Sequence, residues 1–168
     1  TGVPYGNAIV WQDRRTAQRC DELVAAGHLG LVRERTGLVL DPYFSGTKVE
    51  WLLSNRDIPI DDDLAIGTID AWLIWKLTGG EVFATDVSNA SRTMLCDIRT
   101  RTWDPELCAL LGVPISALPT IVASSGRIGL TSASAGIPAG IAVSGVAGDQ
   151  QAALFGQACV VPGMAKNT

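Results

Sequence analysis

The sequence predicts an α/β fold, because short apolar runs alternate with segments of helical periodicity along the chain. One helix carries every local signal: Asp104 at the cap, Pro105 at the first position and Gly112 past the end. Further along, an apolar run from Ile141 leads through Gly148 into a new helical segment, which predicts strand, turn and helix. With 168 residues, the chain is about one domain long.

The other elements follow from apolar spacing and from Gly and Pro punctuation. In the first half we expect a strand at 7–11, a helix capped by Asp13 and ended by Gly27, helices at 29–35, 45–53 and 68–77, the last ended by Gly79 and Gly80, and an edge strand at 81–85. In the second half we expect the helix at 104–112, loops over 113–138, the strand from Ile141, a helix at 150–156 and a final strand near Met164.

Composition excludes several function classes. The net charge of −4 and pI near 4.9 oppose binding to nucleic acid or to acidic membrane surfaces, which needs clustered Lys and Arg. No stretch approaches the ~18 apolar residues of a membrane span, and no leader sequence is visible.

The four cysteines lack C-x-x-C spacing and three occupy apolar periodic positions, which predicts reduced thiols and a cytoplasmic protein. Charged residues are only 18%, which indicates that some surface meets other protein.

Asp149 is the first candidate for chemistry. Of the 30 charged side chains (13 Lys and Arg, 17 Asp and Glu), only Arg127, Asp149 and Lys166 follow Glu106. A carboxylate at the carboxyl end of a buried strand is where open α/β sheets place their reactive groups. The alternative is a routine helix N-cap. The adjacent amide of Gln150 favours a general base with a hydrogen-bonding neighbour.

Trp11 and Tyr43 are aromatic residues at a strand end and in a loop that contains proline. They either fill the core or give a small polyol an aromatic wall and a hydroxyl partner. The single histidine, His28, excludes Ser-His-Asp and histidine metal sites and fits a solvated helix end. The acidic run 61–63 is typical of a solvated turn, and the sequon 89–91 matters only in a secreted protein.

Five segments together resemble the glycerol kinases, members of the FGGY-type carbohydrate kinase superfamily. The resemblance runs in order from about Gly6 to Thr168. The segments are 7–16 (NAIVWQDRRT), 36–48 (TGLVLDPYFSGTK), 67–78 (GTIDAWLIWKLT), 85–95 (TDVSNASRTML) and 145–157 (GVAGDQQAALFGQ).

The resemblance implies a ribonuclease-H-like, actin-like ATPase fold of two domains, assembled as a homodimer or homotetramer. Residues 1–168 would form part of the N-terminal, substrate-side domain, without its upstream strands and without the C-terminal ATP-side domain. Glycerol and ATP with Mg²⁺ would be the ligands. The family's Asp-x-Gly-Thr turn, the Arg-Glu pair that grips the polyol and the Gly-Thr-Gly loop that meets ATP would lie outside this chain, so we expect no metal ligand and no main ATP-binding residue in it.

By the same resemblance, Asp149 is the base that takes the proton of the attacking hydroxyl, and Gln150, Tyr43 and Trp11 contact glycerol. The segment alone is expected to be inactive. The loop 134–140 carries no basic residue where kinases inhibited by fructose 1,6-bisphosphate have an arginine, so that inhibition is not expected. Two alternatives stay open: another sugar or polyol kinase of this superfamily, and a non-catalytic interaction module.

Overall fold

Helices and short strands alternate along residues 2–165, the part of the chain that the computed structural model describes. The helices are α1 (Ala17–Ala25), α2 (Leu29–Thr36), α3 (Ser45–Asn55), α4 (Ile69–Leu77), α5 (Val87–Ala90), α6 (Pro105–Leu110) and α7 (Asp149–Gly156). The strands are β1 (Ala84–Asp86), β2 (Cys96–Asp97), β3 (Thr102–Trp103), β4 (Thr120–Val122), β5 (Ser125–Leu130) and β6 (Ala142–Gly145). The α/β class predicted from the sequence is confirmed.

The described strands form three two-stranded sheets. β1 and β4 run parallel, with Ala84 opposite Thr120, and all three residues of β1 are buried. β2 and β3 form a short antiparallel pair, and β5 and β6 form a longer one whose register shifts between Ser125 and Gly129. The parallel pair brings the end of β1, and the helix α5 that follows it, close to the segment that enters β5.

Two helix ends match the sequence signals. The Asp104 carboxylate accepts hydrogen bonds from the backbone N–H groups of Glu106 and Leu107 at 2.8 and 3.0 Å, so it caps α6 as predicted. α4 ends at Leu77, and Gly79 and Gly80 then turn the chain with φ of 69° and 90°, a region that favours glycine.

The strand predicted at residues 7–11 is wrong. This run pairs with no strand among residues 2–165, and most of it is exposed, with Trp11 60% exposed. An apolar run becomes a strand only where a neighbouring strand satisfies its backbone groups. The predicted Asp13 cap is also wrong: α1 begins at Ala17 with Thr16 at the N-cap. Asp13 instead accepts hydrogen bonds from the Arg15 side chain and amide, which lower the pKa of Asp13 to about 2.

The second half holds more structure than the sequence predicts. Residues 113–138, expected to be loop, contain β4 and β5. The strand from Ile141 begins at Ala142 and is largely exposed, so the expectation of an interior strand is wrong for this chain. No strand occurs near Met164 up to Ala165, and the rest of that predicted strand lies outside the described residues.

The hydrophobic core lies among α1, α2, α6 and the segment that leads into β2. Two clusters of buried side chains form it. One contains Leu23, Leu95, Cys108, Leu111 and Val113, and the other contains Val32, Leu38, Phe44, Met94 and Leu107.

The cysteines behave as predicted. All four are free, and Cys20, Cys96 and Cys108 are buried. Burial raises the pKa of the Cys96 and Cys108 thiols to about 11, so both stay protonated at neutral pH. Within the described residues no helix has the length and apolarity needed to cross a bilayer.

Candidate active site

Asp149 is the first residue of α7. It directly follows the buried Gly148, which ends the turn between β6 and α7. Gly148, not Asp149, occupies the N-cap position. The Asp149 side chain is exposed, and its Oδ1 accepts one hydrogen bond, from the Gln150 N–H at 2.9 Å. The N-cap alternative for Asp149 is therefore wrong. Its carboxylate keeps most of its acceptor capacity for another group.

Position 148 is more crowded than position 145. A Cβ at Gly148 would lie 2.7 Å from Gln151 Oε1 and 3.6 Å from Asn89 Oδ1. A Cβ at Gly145 would meet only the Ser124 carbonyl, at an ordinary 3.9 Å. The backbone therefore comes close to other side chains at the residue before Asp149.

Trp11 and Tyr43 form one aromatic surface. Their ring centroids are 5.6 Å apart with an interplanar angle of 54°, and Tyr43 in turn meets Phe44 edge-on at 5.1 Å. The Arg92 guanidinium lies 4.9 Å from the centre of the Phe44 ring. Trp11 and Tyr43 are partly exposed, as a wall that receives a ligand must be, whereas Phe44 is buried.

Lys48 holds the loop that carries Tyr43. Its side chain is buried, and its ammonium Nζ donates a hydrogen bond to the Pro42 carbonyl. The Tyr43 N–H donates to Asp41 Oδ1 at 2.7 Å, which fixes the same turn. Burial lowers the pKa of Lys48. Sequence reasoning did not single out this lysine, because a lysine at helical spacing is usually solvent-exposed.

A cavity lies beside Trp11 and extends to Asn89. It measures about 540 Å³, and Trp11, Lys48 and Asn89 are among its lining residues. Asn89 is also the residue that Gly148 approaches. Among the described residues, however, no hydrogen bond joins Asp149 or Gln150 to Trp11 or Tyr43. The structure thus brings the two aromatics together and places Asp149 and Gln150 at a separate turn that borders the same region through Asn89.

Asp86 caps the start of α5, and sequence reasoning missed it. The carboxylate is fully buried at the end of β1 and accepts five hydrogen bonds, which come from Ser88 N and Oγ, Asn89 N and Nδ2, and Ser124 Oγ. Burial by itself raises the pKa of Asp86, but the hydrogen bonds from Ser124, Ser88 and the backbone outweigh it and lower the pKa below 3.8. An Asp with Ser and Asn two and three residues later is a helix-start signal. It could have indicated the hydrogen bonds of Asp86 to Ser88 and Asn89, but not the one to Ser124.

The acidic run at 61–63 and His28 stay outside the site. Asp61 accepts a hydrogen bond from the Asp63 N–H at 3.1 Å, and all three carboxylates are exposed, as in a solvated turn. His28 occupies the N-cap position of α2. Within residues 2–165, no three His, Cys, Asp or Glu side chains meet as a metal site. We assign Mg²⁺ no ligand and no step among these residues.

Comparison with known proteins decides the family. The sequence model of the N-terminal domain of the FGGY family of carbohydrate kinases matches residues 1–156. This chain belongs to the FGGY family. Two curated relatives, the glycerol kinases of Alkalilimnicola ehrlichii and Dechloromonas aromatica, are 58% and 60% identical to it over 172 aligned positions. Each alignment covers all of this chain and 34% of the relative, so the chain spans about a third of the length of the curated relatives it matches.

Solved FGGY kinases share the fold. The glycerol kinase of Plasmodium falciparum, solved with ADP, superposes with a TM-score of 0.87 at 38% identity, over 94% of this chain and 32% of that one. The xyloylose kinase of Brucella ovis superposes with a TM-score of 0.80 at 27% identity, over 95% of this chain and 33% of that one. The predicted actin-like fold, present in part, is confirmed. The roles of Asp149, Gln150, Tyr43 and Trp11 in an FGGY kinase stay predictions.

Proposed function

We propose that this chain is the substrate-side part of an ATP-dependent glycerol kinase in which Asp149 is the general base. The observation that carries the proposal is the 58–60% identity to curated glycerol kinases along the whole chain. A neighbour of the same name was solved with ADP, which agrees with a nucleotide as the phosphoryl donor. The product would be sn-glycerol 3-phosphate.

The chemistry suits an exposed carboxylate at a fixed turn. The primary hydroxyl of glycerol attacks the γ-phosphorus of ATP, its O–P bond forms as the bond to the β,γ-bridging oxygen breaks, and ADP leaves. Asp149 accepts the hydroxyl proton as the nucleophile commits. In this scheme the Gln150 amide hydrogen-bonds a substrate hydroxyl, Tyr43 offers its phenol, and Trp11 covers the carbon backbone of the polyol.

Replacing the base tests this proposal. In the complete enzyme that contains this chain, Asp149→Asn should lower kcat by about 10²–10⁴-fold, because the amide cannot accept the proton. The dissociation constant for glycerol should change little. Asp62→Asn, at an exposed turn, is the matched control and should keep normal turnover. Near-normal kcat in Asp149→Asn would remove Asp149 from the catalytic role.

We further propose a cytoplasmic enzyme that acts as a homodimer or homotetramer and is not inhibited by fructose 1,6-bisphosphate. The free, buried cysteines support a reducing compartment. The loop 134–140 begins at the end of a 3₁₀ turn (Ala133–Ala135) and carries no basic side chain for a phosphate. Light scattering of the complete enzyme tests the oligomeric state. Its turnover with and without the bisphosphate tests the absence of inhibition.

A further inference from the structure

The Ser88 hydroxyl links the buried Asp86 carboxylate to the residue that precedes the candidate base. Ser88 Oγ donates to Asp86 Oδ2 at 2.6 Å and accepts a hydrogen bond from the Gly148 N–H at 2.8 Å. An ionised carboxylate can only accept, so the single hydroxyl proton of Ser88 is committed to Asp86. The lone pairs of Ser88 Oγ are thereby turned toward Gly148.

A second link reaches the same turn from the other side. Ser124 Oγ donates to Asp86 Oδ2 at 2.6 Å, and the Ser124 carbonyl accepts from the Val146 N–H at 3.0 Å. Val146 and Gly148 are two residues apart, and both are therefore connected to one carboxylate through one serine each. Asp149 follows immediately.

Within residues 2–165, packing of α7 does not replace these hydrogen bonds. α7 has no buried residue of its own, and Phe155 in it is 77% exposed. Asp86, in contrast, is fully buried within the parallel pair β1–β4, opposite Val122. The carboxylate has five donors around it, so it has no free acceptor site for a substrate proton and is not itself a competing base.

We propose that Asp86, Ser88 and Ser124 are positioning residues that hold the 146–148 turn and so set the place of the Asp149 carboxylate against the substrate hydroxyl. This inference rests on the proposed function, because it assigns a task to these residues in that reaction. Displacement of a reacting group by about 1 Å can cost about 10²-fold in rate. Loosening the turn should therefore lower kcat far more than it raises KM.

The main test is Ser88→Ala in the complete enzyme. It removes both hydrogen bonds of the hydroxyl, and we expect kcat to fall about 10-fold or more while KM for glycerol and for ATP stays within about 2-fold. Ser88→Thr keeps a hydroxyl and should restore kcat. Ser91→Ala is the matched control on the same turn, since Ser91 Oγ donates only to the Ser88 carbonyl, and it should leave kcat unchanged.

A second readout does not depend on turnover. Hydrogen exchange at the Gly148 amide should be faster in Ser88→Ala than in the wild type, in Ser88→Thr and in Ser91→Ala, because only the first variant lacks the acceptor. If Ser88→Ala does not fold, Ser124→Ala removes the hydroxyl that ties the second link to Asp86 and keeps the Ser124 carbonyl that Val146 donates to. It should show the same split between kcat and KM with a smaller loss.

The outcomes separate the two proposals. Low kcat with retained KM and faster Gly148 exchange supports the positioning role. A wild-type kcat in Ser88→Ala, or an equal loss in Ser91→Ala, overturns the positioning role and leaves the glycerol kinase proposal intact. A wild-type enzyme that does not phosphorylate glycerol overturns the proposed function, and this inference with it.

Discussion

The helical body, residues 16–118, and the carboxyl-terminal unit, residues 125–157, are held together in different ways. Every buried hydrophobic side chain of the described chain belongs to the helical body, from Cys20 to Ala117. In the carboxyl-terminal unit, large apolar side chains such as Ile141 and Phe155 are 52% and 77% exposed. The candidate base therefore lies on the unit without a core of its own. Hydrogen bonds from the helical body hold the turn before Asp149, whereas packing of buried side chains holds the helical body together.

The strongest way to sharpen this contrast is a pair of identical substitutions. Leu107 is fully buried in the helical body, whereas Leu130 in β5 is 38% exposed. Leu107→Ala should lower the free energy of unfolding by about 2–5 kcal/mol through lost contacts and a cavity. Leu130→Ala should cost less than about 1 kcal/mol. Urea denaturation followed by tryptophan fluorescence measures both, and equal losses would contradict the division into two regions.

Removing one cap in each region should give a smaller difference. Asp104 is buried, caps α6 through two backbone N–H groups and lies 3.8 Å from an Arg35 nitrogen. Asp104→Ala should destabilise the protein by about 1–2 kcal/mol. Ser132 accepts a long hydrogen bond from the Ser134 N–H at 3.3 Å and shares one of 2.9 Å with the Ser134 hydroxyl, and both are exposed to water. Ser132→Ala should therefore cost less than about 1 kcal/mol. Thermal unfolding compares the two, and a larger shift for Ser132→Ala would count against the difference.

The hydrogen bonds that join the two regions through Asp86 should weaken in acid. The folded-state pKa of Asp86 is lowered below 3.8, so its stabilisation is complete above that value and declines as pH falls through the folded-state pKa. Protonation also removes an acceptor from the Ser88 and Ser124 hydroxyls. Asp86→Asn should therefore lower stability at neutral pH and flatten the dependence on pH in the acid range. An unchanged acid slope in the variant would show that Asp86 does not contribute to it.

The sequence predicted what depends on neighbours along the chain. Asp104, Pro105 and Gly112 signal α6 within nine positions, and Gly148 followed by Asp149 signals a turn into a helix. In both places the structure agrees with the local chemistry. The family resemblance then supplied the fold beyond the elements themselves.

What the sequence did not predict depends on distant partners. The run at 7–11 has the composition of a strand but no neighbouring strand in the described chain. The hydrogen bonds of Asp86 to Ser124 and of Ser88 to Gly148 join positions 38 and 60 residues apart, and no local pattern reports them. Lys48 resembles a surface lysine until the fold buries it against Pro42.

The same separation along the chain sets an order of events during synthesis. Asp86 finds Ser88 and Asn89 as soon as they are made, but Gly148 leaves the ribosome 60 residues after Ser88. At about 5–20 residues per second, that interval lasts several seconds. During this time the Ser88 hydroxyl has no Gly148 N–H from which to accept a hydrogen bond. The turn that carries Asp149 is thus expected to settle after the helical body.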